Sequence, residues 1–326
     1  MKIIAILSFF LLVIIPFNKT YADGDPDYHP NFSTAKRLFG NDGTSPTPDQ
    51  YLAARLNALT SSVHGREIIV SAVSGAALKA AFDQANSDLT INTIHIPTGV
   101  YFVSKDERPT ITRNDLRVIG AGTDQTRIVS NYSSYRSVGD NGTLRLQNSC
   151  TKIIIRDLTL ENQWLNASDP GMVLTDNYTP CEAMFWRVRF VTPSKDTIWL
   201  TGGSYVFFGC WIEGKYDVLS SYADWNFVVN TSYKVYQGGQ ALNWLGGGNN
   251  QYLMVKDCLF EIQPGNTNYL SLSAGDTTKE LDLVNQELGP LKGEVYPNGY
   301  QSSITVTHRK TDISQLAKVL KWLEYK

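Results

Sequence analysis

The chain has 326 residues, 42% of them hydrophobic, which is enough for one large domain or two ordinary ones with a real core. Its 29 basic and 31 acidic residues nearly cancel, so the composition indicates neither a nucleic-acid partner nor an anionic membrane surface. Four cysteines without paired CxxC spacing do not make a disulfide scaffold or a zinc site, and we expect no metal and no cofactor.

Residues 1–22 have the pattern of a secretory signal peptide. Lys2 precedes an apolar run from Ile3 to Ile15, and Thr20 to Ala22 form a small-x-small cleavage site. The apolar run is short for a bilayer span, which makes an uncleaved membrane anchor the weaker alternative. We therefore expect an exported protein, extracellular or periplasmic, with no membrane association after cleavage.

The two ends of the mature chain differ from its middle. Residues 23–66 are polar and turn-rich, and they predict an N-terminal extension. The stretch "SGAALKAAFDQANS" (residues 74–87) has helical apolar spacing and is predicted to cap the first coil of the domain that follows. At the other end, "TDISQLAKVLKWLEYK" (residues 311–326) is an amphipathic helix that we expect to cover the last coil or pack alongside.

The middle of the chain, residues 67–310, consists of short β-branched and aromatic runs separated by Gly, Asn, Asp and Ser. Five runs share an apolar triplet, a polar residue and a second alternating stretch, and their starts are 31, 22, 21 and 26 residues apart. A period in the low twenties predicts an all-β parallel β-helix, in which stacked coils bury a continuous core. A β-sandwich is the alternative. The runs begin at Ile153, Met184, Val206, Phe227 and Leu253.

Two aspartates, Asp196 and Asp217, occur 21 positions apart, each just before an apolar run. In a β-helix, residues one coil apart lie about one strand spacing, ~4.8 Å, above each other. Two carboxylates that close do not both ionise readily, so the pKa of one is expected to rise. Such a pair offers a proton donor beside a nucleophile or base.

The same stacking argument applies to the cysteines. Cys150 and Cys181 each lie three residues before an apolar triplet, so we predict a disulfide between them across one coil step. Cys210 and Cys258 share a repeat position two coils apart, too far for a bond, and we interpret them as interior thiols.

Four segments of the chain, in order, resemble motifs of the pectin methylesterases. Residues 74–103 resemble that family's entry helix and first coil, and residues 116–131 are similar to its "L-x-G-x-G-x-x-x-T-x-I" coil. Residues 151–162 resemble its "A-x-D-I-T-F-x-N" coil. Residues 185–221 follow "F-Y-x-C-x-F-x-G-x-Q-D-T-L-Y…F-x-x-C-x-I-x-G-x-V-D-F-I-F-G" without a gap. The resemblance spans more than half of the mature chain and implies a right-handed β-helix.

The resemblance also implies a reaction and the residues that perform it. Asp217 takes the place of the nucleophile that attacks a methyl-ester carbonyl of polygalacturonate. Asp196 takes the place of the general acid/base that protonates methoxide and then activates water. The implied partner is an acidic, pectin-like polysaccharide, and we expect a monomer.

Around the two aspartates the sequence departs from the family. Lys195 replaces one glutamine, and the glutamine one coil earlier falls near Met172. The ending "F-I-F-G" becomes "VLSS" (residues 218–221), and Trp244 has leucine two residues before it where the family has arginine.

We predict that Lys195 donates to the developing oxyanion. The aromatic residues Trp199, Tyr216 and Trp244 are predicted to stack on sugar rings. Two other functions stay open: a polysaccharide lyase or glycosidase on the same fold, and a non-catalytic carbohydrate-binding protein.

Overall fold

The fold is given by a computed structural model. It describes residues 65–133, 142–165, 170–176, 178–215, 217–221, 223, 225–236, 242–243, 251–256, 258–262, 270–273, 279–284, 295–298 and 304–309. The predicted signal peptide, nearly all of the N-terminal extension and the predicted C-terminal helix lie outside these residues.

One helix and 23 strands make up the described part of the chain. The helix α1 spans Gly75–Ser87. The strands are β1 Arg66–Ile69, β2 Ile91–Ile96, β3 Gly99–Val103, β4 Thr110–Ile111, β5 Leu116–Gly120, β6 Thr126–Ser130, β7 Leu144–Leu146, β8 Ile153–Asn162, β9 Leu174–Thr175, β10 Cys181–Val191, β11 Ile198–Leu200, β12 Gly203–Phe208, β13 Trp211–Gly214, β14 Leu219–Ser221, β15 Trp225–Val229, β16 Ser232–Val235, β17 Leu242–Asn243, β18 Gln251–Lys256, β19 Leu259–Ile262, β20 Leu270–Ser273, β21 Lys279–Val284, β22 Val295–Asn298 and β23 Ile304–Arg309.

Every pairing among the described strands is parallel. A first sheet has the order β1-β2-β5-β8-β10-β12-β15-β18-β21-β23, and β3, β6, β13, β16 and β19 join it around a corner. A second sheet has the order β17-β14-β11-β9-β7-β4, and β20 pairs with β22. Each coil thus contributes one strand to each face of a parallel β-helix. The β-sandwich alternative is wrong, because sandwiches pair their strands antiparallel.

The corner within the first sheet repeats from coil to coil. Asp157, Arg187, Gly209 and Asn230 occupy it in register, with φ of 59°, 50°, 58° and 49°. One left-handed residue at a fixed position turns the strand direction without a loop. The repeat is therefore a property of the backbone and not only of side-chain type.

The spacing of the repeats was correct for two of the four steps. Met184 pairs with Val206, and Val206 pairs with Phe227, as the sequence predicted. The other two steps were wrong by one residue, since Met184 pairs with Ile154 and Phe227 with Met254. The first sheet is buried on both faces over these coils: Ile154, Met184, Val206 and Phe227 are buried although they lie outside the central core cluster. Apolar side chains on both faces remove the alternation that would have fixed the register.

The core between the sheets is a stack of apolar side chains. Phe185 and Phe207 stand in register on neighbouring coils, and their rings stack at 5.1 Å between centroids. Phe190 meets both rings edge to face. Such contacts add to the burial energy of each aromatic residue.

The helix α1 confirms the predicted helical stretch. Ser74 is its N-cap and accepts a hydrogen bond from the backbone N of Ala77 at 3.1 Å. Leu78, Phe82 and Ala85 are buried, and the helix packs against β2, β3 and β4. The predicted face thus contacts the first coil. No helix among the described residues has the length and apolar character required to cross a bilayer.

Candidate functional site

The two predicted catalytic aspartates occupy equivalent positions in consecutive turns. Asp196 stands two residues before β11, and Asp217 stands two residues before β14. Ile198 pairs with Leu219, so the same register carried back two residues brings Asp196 opposite Asp217. Both have left-handed backbone, with φ of 55° and 52°. Aspartate tolerates this conformation better than most residues, and the two turns therefore have the same shape.

Backbone and side-chain hydrogen bonds hold these two turns against each other. Lys215 N donates to Ser194 O at 2.9 Å, and Thr197 Oγ1 donates to Glu213 O at 3.3 Å. Gly214 permits this approach, because a Cβ at its position would lie 2.2 Å from Thr197 Oγ1. The spacing of the two turns thus depends on a residue without a side chain.

The two carboxyl groups differ in exposure. Asp196 is fully buried, with 0% of its surface exposed, whereas Asp217 is half-buried. Ser220 is also fully buried, and its Oγ donates to Asp196 Oδ1 at 3.2 Å. Sequence reasoning missed this contact. The available signal was the departure from the family motif, in which residue 220 corresponds to phenylalanine.

The remaining predicted site residues lie at different depths. Lys195 is half-buried beside Asp196. The register places Met172 opposite Asp196 on the preceding coil, and Met172 is buried. Trp199 is only 3% exposed, much less than a ring that stacks on a bound sugar requires. Tyr216 and the side chain of Trp244 lie outside the described residues.

The two arginines nearest in sequence lie on the first sheet, where each pairs with another carboxylate. Arg187 Nε donates to Asp157 Oδ1 at 2.6 Å. Arg189 Nη2 donates to Glu213 Oε2 at 2.9 Å. Glu213, which the lyase alternative would use beside Asp217, is held in this ion pair. Among the residues that the structure describes, no group of three or more His, Cys, Asp or Glu side chains is arranged to hold a metal ion.

The cysteines occupy two separate parts of the interior. Cys150 and Cys181 are buried free thiols whose Sγ atoms lie 3.1 Å apart. The hydrogen bond between them and burial raise the pKa of the Cys150 thiol. The disulfide between them stays a prediction. Cys210 and Cys258 stand in register two coils apart with Thr231 between them, which confirms that they do not pair.

A buried carboxylate that the sequence did not single out lies just after β9. Asp176 Oδ2 accepts hydrogen bonds from Thr201 N at 2.5 Å, Tyr205 Oη at 3.0 Å and Gly202 N at 3.1 Å. Its Oδ1 accepts from Thr201 Oγ1 at 2.6 Å. Burial raises the pKa of Asp176 despite these donors. Because it fastens one turn to the next, its role is structural.

Neither a protein-family model nor a curated protein matches the chain in sequence. Solved pectin methylesterases, however, match its fold at 14% identity. One, in complex with a hexasaccharide, gives a TM-score of 0.52 over 78% of this chain and 92% of that chain. The enzyme from carrot gives 0.51 over 78% and 86%, and PemA from Erwinia chrysanthemi gives 0.51 over 78% and 92%. The chain therefore has the right-handed parallel β-helix fold of the pectin methylesterases, and the predicted fold class is confirmed.

Proposed function

We propose that this protein is an exported carbohydrate esterase that hydrolyses methyl esters of a polygalacturonate-like polysaccharide. The observation that carries the proposal is the register of Asp196 and Asp217, at the same position of consecutive turns on a pectin methylesterase fold. A similar structure holds a hexasaccharide, which supports a saccharide chain as the substrate. Acidic saccharides suit the fold, but the assignment of chemistry comes from the carboxylate pair.

In the first half of the reaction, the Asp217 carboxylate attacks the ester carbonyl carbon and forms a tetrahedral intermediate. The C–O bond to the methoxy group then breaks, Asp196 gives its proton to the departing oxygen, and methanol leaves. The products on the protein are an acyl–Asp217 anhydride and an ionised Asp196. Two carboxyl groups about one strand spacing apart, ~4.8 Å, hold one proton between them more readily than none.

In the second half, Asp196 takes a proton from water, and the resulting hydroxide attacks the acyl carbon. The bond to Asp217 breaks, the uronate carboxylic acid is released, and Asp196 is again protonated. The net reaction consumes one ester and one water and yields one acid and one methanol. Lys195, half-buried next to Asp196, is the proposed donor to the oxyanion in both halves.

The test is methanol release from highly methylated pectin by the purified protein. Asp217→Asn and Asp196→Asn are each expected to abolish release, while Asp124→Asn, at an exposed turn, leaves it unchanged. Circular dichroism of all variants checks that they fold. Release that persists in a folded Asp217→Asn variant contradicts the assignment of the nucleophile.

A non-catalytic carbohydrate-binding protein is the second candidate. The complete burial of Asp196 and the apolar Met172 opposite it favour this function, since neither side chain meets a substrate in this structure. The same assay separates the two candidates. Folded protein that binds polygalacturonate in affinity electrophoresis but releases no methanol supports the binding protein.

A further inference from the structure

The hydrogen bond between Ser220 and Asp196 joins the two turns that carry the carboxylate pair. Ser220 lies in β14, three residues after Asp217 and therefore on the coil of the proposed nucleophile. Its hydroxyl reaches Oδ1 of Asp196 on the preceding coil at 3.2 Å. A displacement of one turn relative to the other changes this contact directly.

The surroundings of this bond are dry. Ser220 and Asp196 are both fully buried, and Trp199, which pairs with Ser220 in register, is buried as well. A hydrogen bond is stronger electrostatically in such a place than in water, and a partner left without it loses more. Ser220 therefore restrains the orientation of the Asp196 carboxyl group.

We propose that Ser220 is a positioning residue that decides which oxygen of Asp196 carries the catalytic proton. Because Oδ1 accepts from the hydroxyl in both charge states, the proton is held on Oδ2, which is free to face the methoxy oxygen. The proposal rests on the proposed function and adds to it a group that the related motif lacks, since phenylalanine stands there. No bond to Ser220 forms or breaks during the reaction.

The test compares Ser220→Ala with Ser220→Thr, which keeps the hydroxyl. We expect Ser220→Ala to lower kcat for methanol release about 10- to 100-fold, the effect of losing one hydrogen bond to a charged group, with KM nearly unchanged. Ser220→Thr is expected to restore kcat to within about threefold of the unchanged protein. Ser204→Ala, on an outer position of the first sheet, is the matched control and is expected to leave both constants unchanged.

Each outcome bears on a different claim. Active protein whose kcat is unaffected by Ser220→Ala overturns the positioning role and leaves the esterase assignment standing. A rise in KM alone, or a loss that Ser220→Thr does not reverse while the variant is folded, also overturns it. If the unchanged protein releases no methanol, the proposed function fails, and the positioning role fails with it.

Discussion

Removal of the Asp176 carboxylate is expected to be among the most destabilising single changes in the described part of the chain. In Asp176→Ala, the backbone N–H groups of Thr201 and Gly202 and the hydroxyl of Tyr205 lose their acceptor in a buried place. A buried donor without a partner costs about 1–3 kcal/mol, so three cost about 3–9 kcal/mol. A typical domain has about 5–15 kcal/mol of total stability, so the variant should unfold early or fail to accumulate.

Asp176→Asn is the matched control for this loss. With its oxygen in the place of Oδ2, the asparagine amide still accepts from all three donors, and its nitrogen can donate to Thr201 Oγ1. We expect this variant to lose about 1 kcal/mol or less. The measurement is urea unfolding followed by the fluorescence of the seven tryptophans, with the midpoint and slope compared between variants. An Asp176→Ala protein within about 1 kcal/mol of the unchanged chain would refute the reasoning, since the three donors would then have other partners.

The pH dependence of the same pair of proteins adds an independent test. Burial raises the pKa of Asp176 above its ordinary value of 3.8, so the folded state binds this proton more tightly than the unfolded state. The contribution of Asp176 to stability is therefore fully present below 3.8 and declines as the pH rises through the folded pKa. Asp176→Asn lacks this dependence, and its stability relative to the unchanged protein is expected to improve as the pH rises. A difference that is flat with pH contradicts the raised pKa.

Two further predictions concern the turns and the interior thiols. Gly214→Ala is expected to cost about 1–3 kcal/mol and to abolish methanol release, because the new methyl group collides with Thr197. Gly202→Ala, whose nearest neighbour would be 3.2 Å away, is the control, and equal midpoints in urea would contradict the expectation. Burial raises the pKa of Cys210 to about 12, so mass spectrometry after alkylation at about pH 8 should find it unlabelled until the protein is unfolded. Rapid labelling in the folded state would disprove its burial.

The repeat could be predicted from the sequence, whereas its register could be predicted only in part. Runs such as "VFFGCWIEGK" and "FVVNTSYKVY" contain the apolar triplets that stacked coils require, so the β-helix and the step from Val206 to Phe227 followed directly. The step from Ile153 was wrong by one residue. Ile153, Ile154 and Ile155 are all buried, and a run that is apolar on both faces gives no alternation by which to choose between neighbouring residues.

For the candidate site, the sequence by itself determined the residue types and their spacing. The interval of 21 residues between Asp196 and Asp217 equals one coil, so their stacking followed from chain geometry alone. Only the tertiary structure decided that Asp196 is buried, that Ser220 reaches it, and that Asp176 collects donors from the following turn. These contacts join residues 24 or more positions apart, across separate coils. Exposure and hydrogen bonding of this kind depend on side chains that meet only after the coils have stacked, and no local pattern in the sequence encodes them.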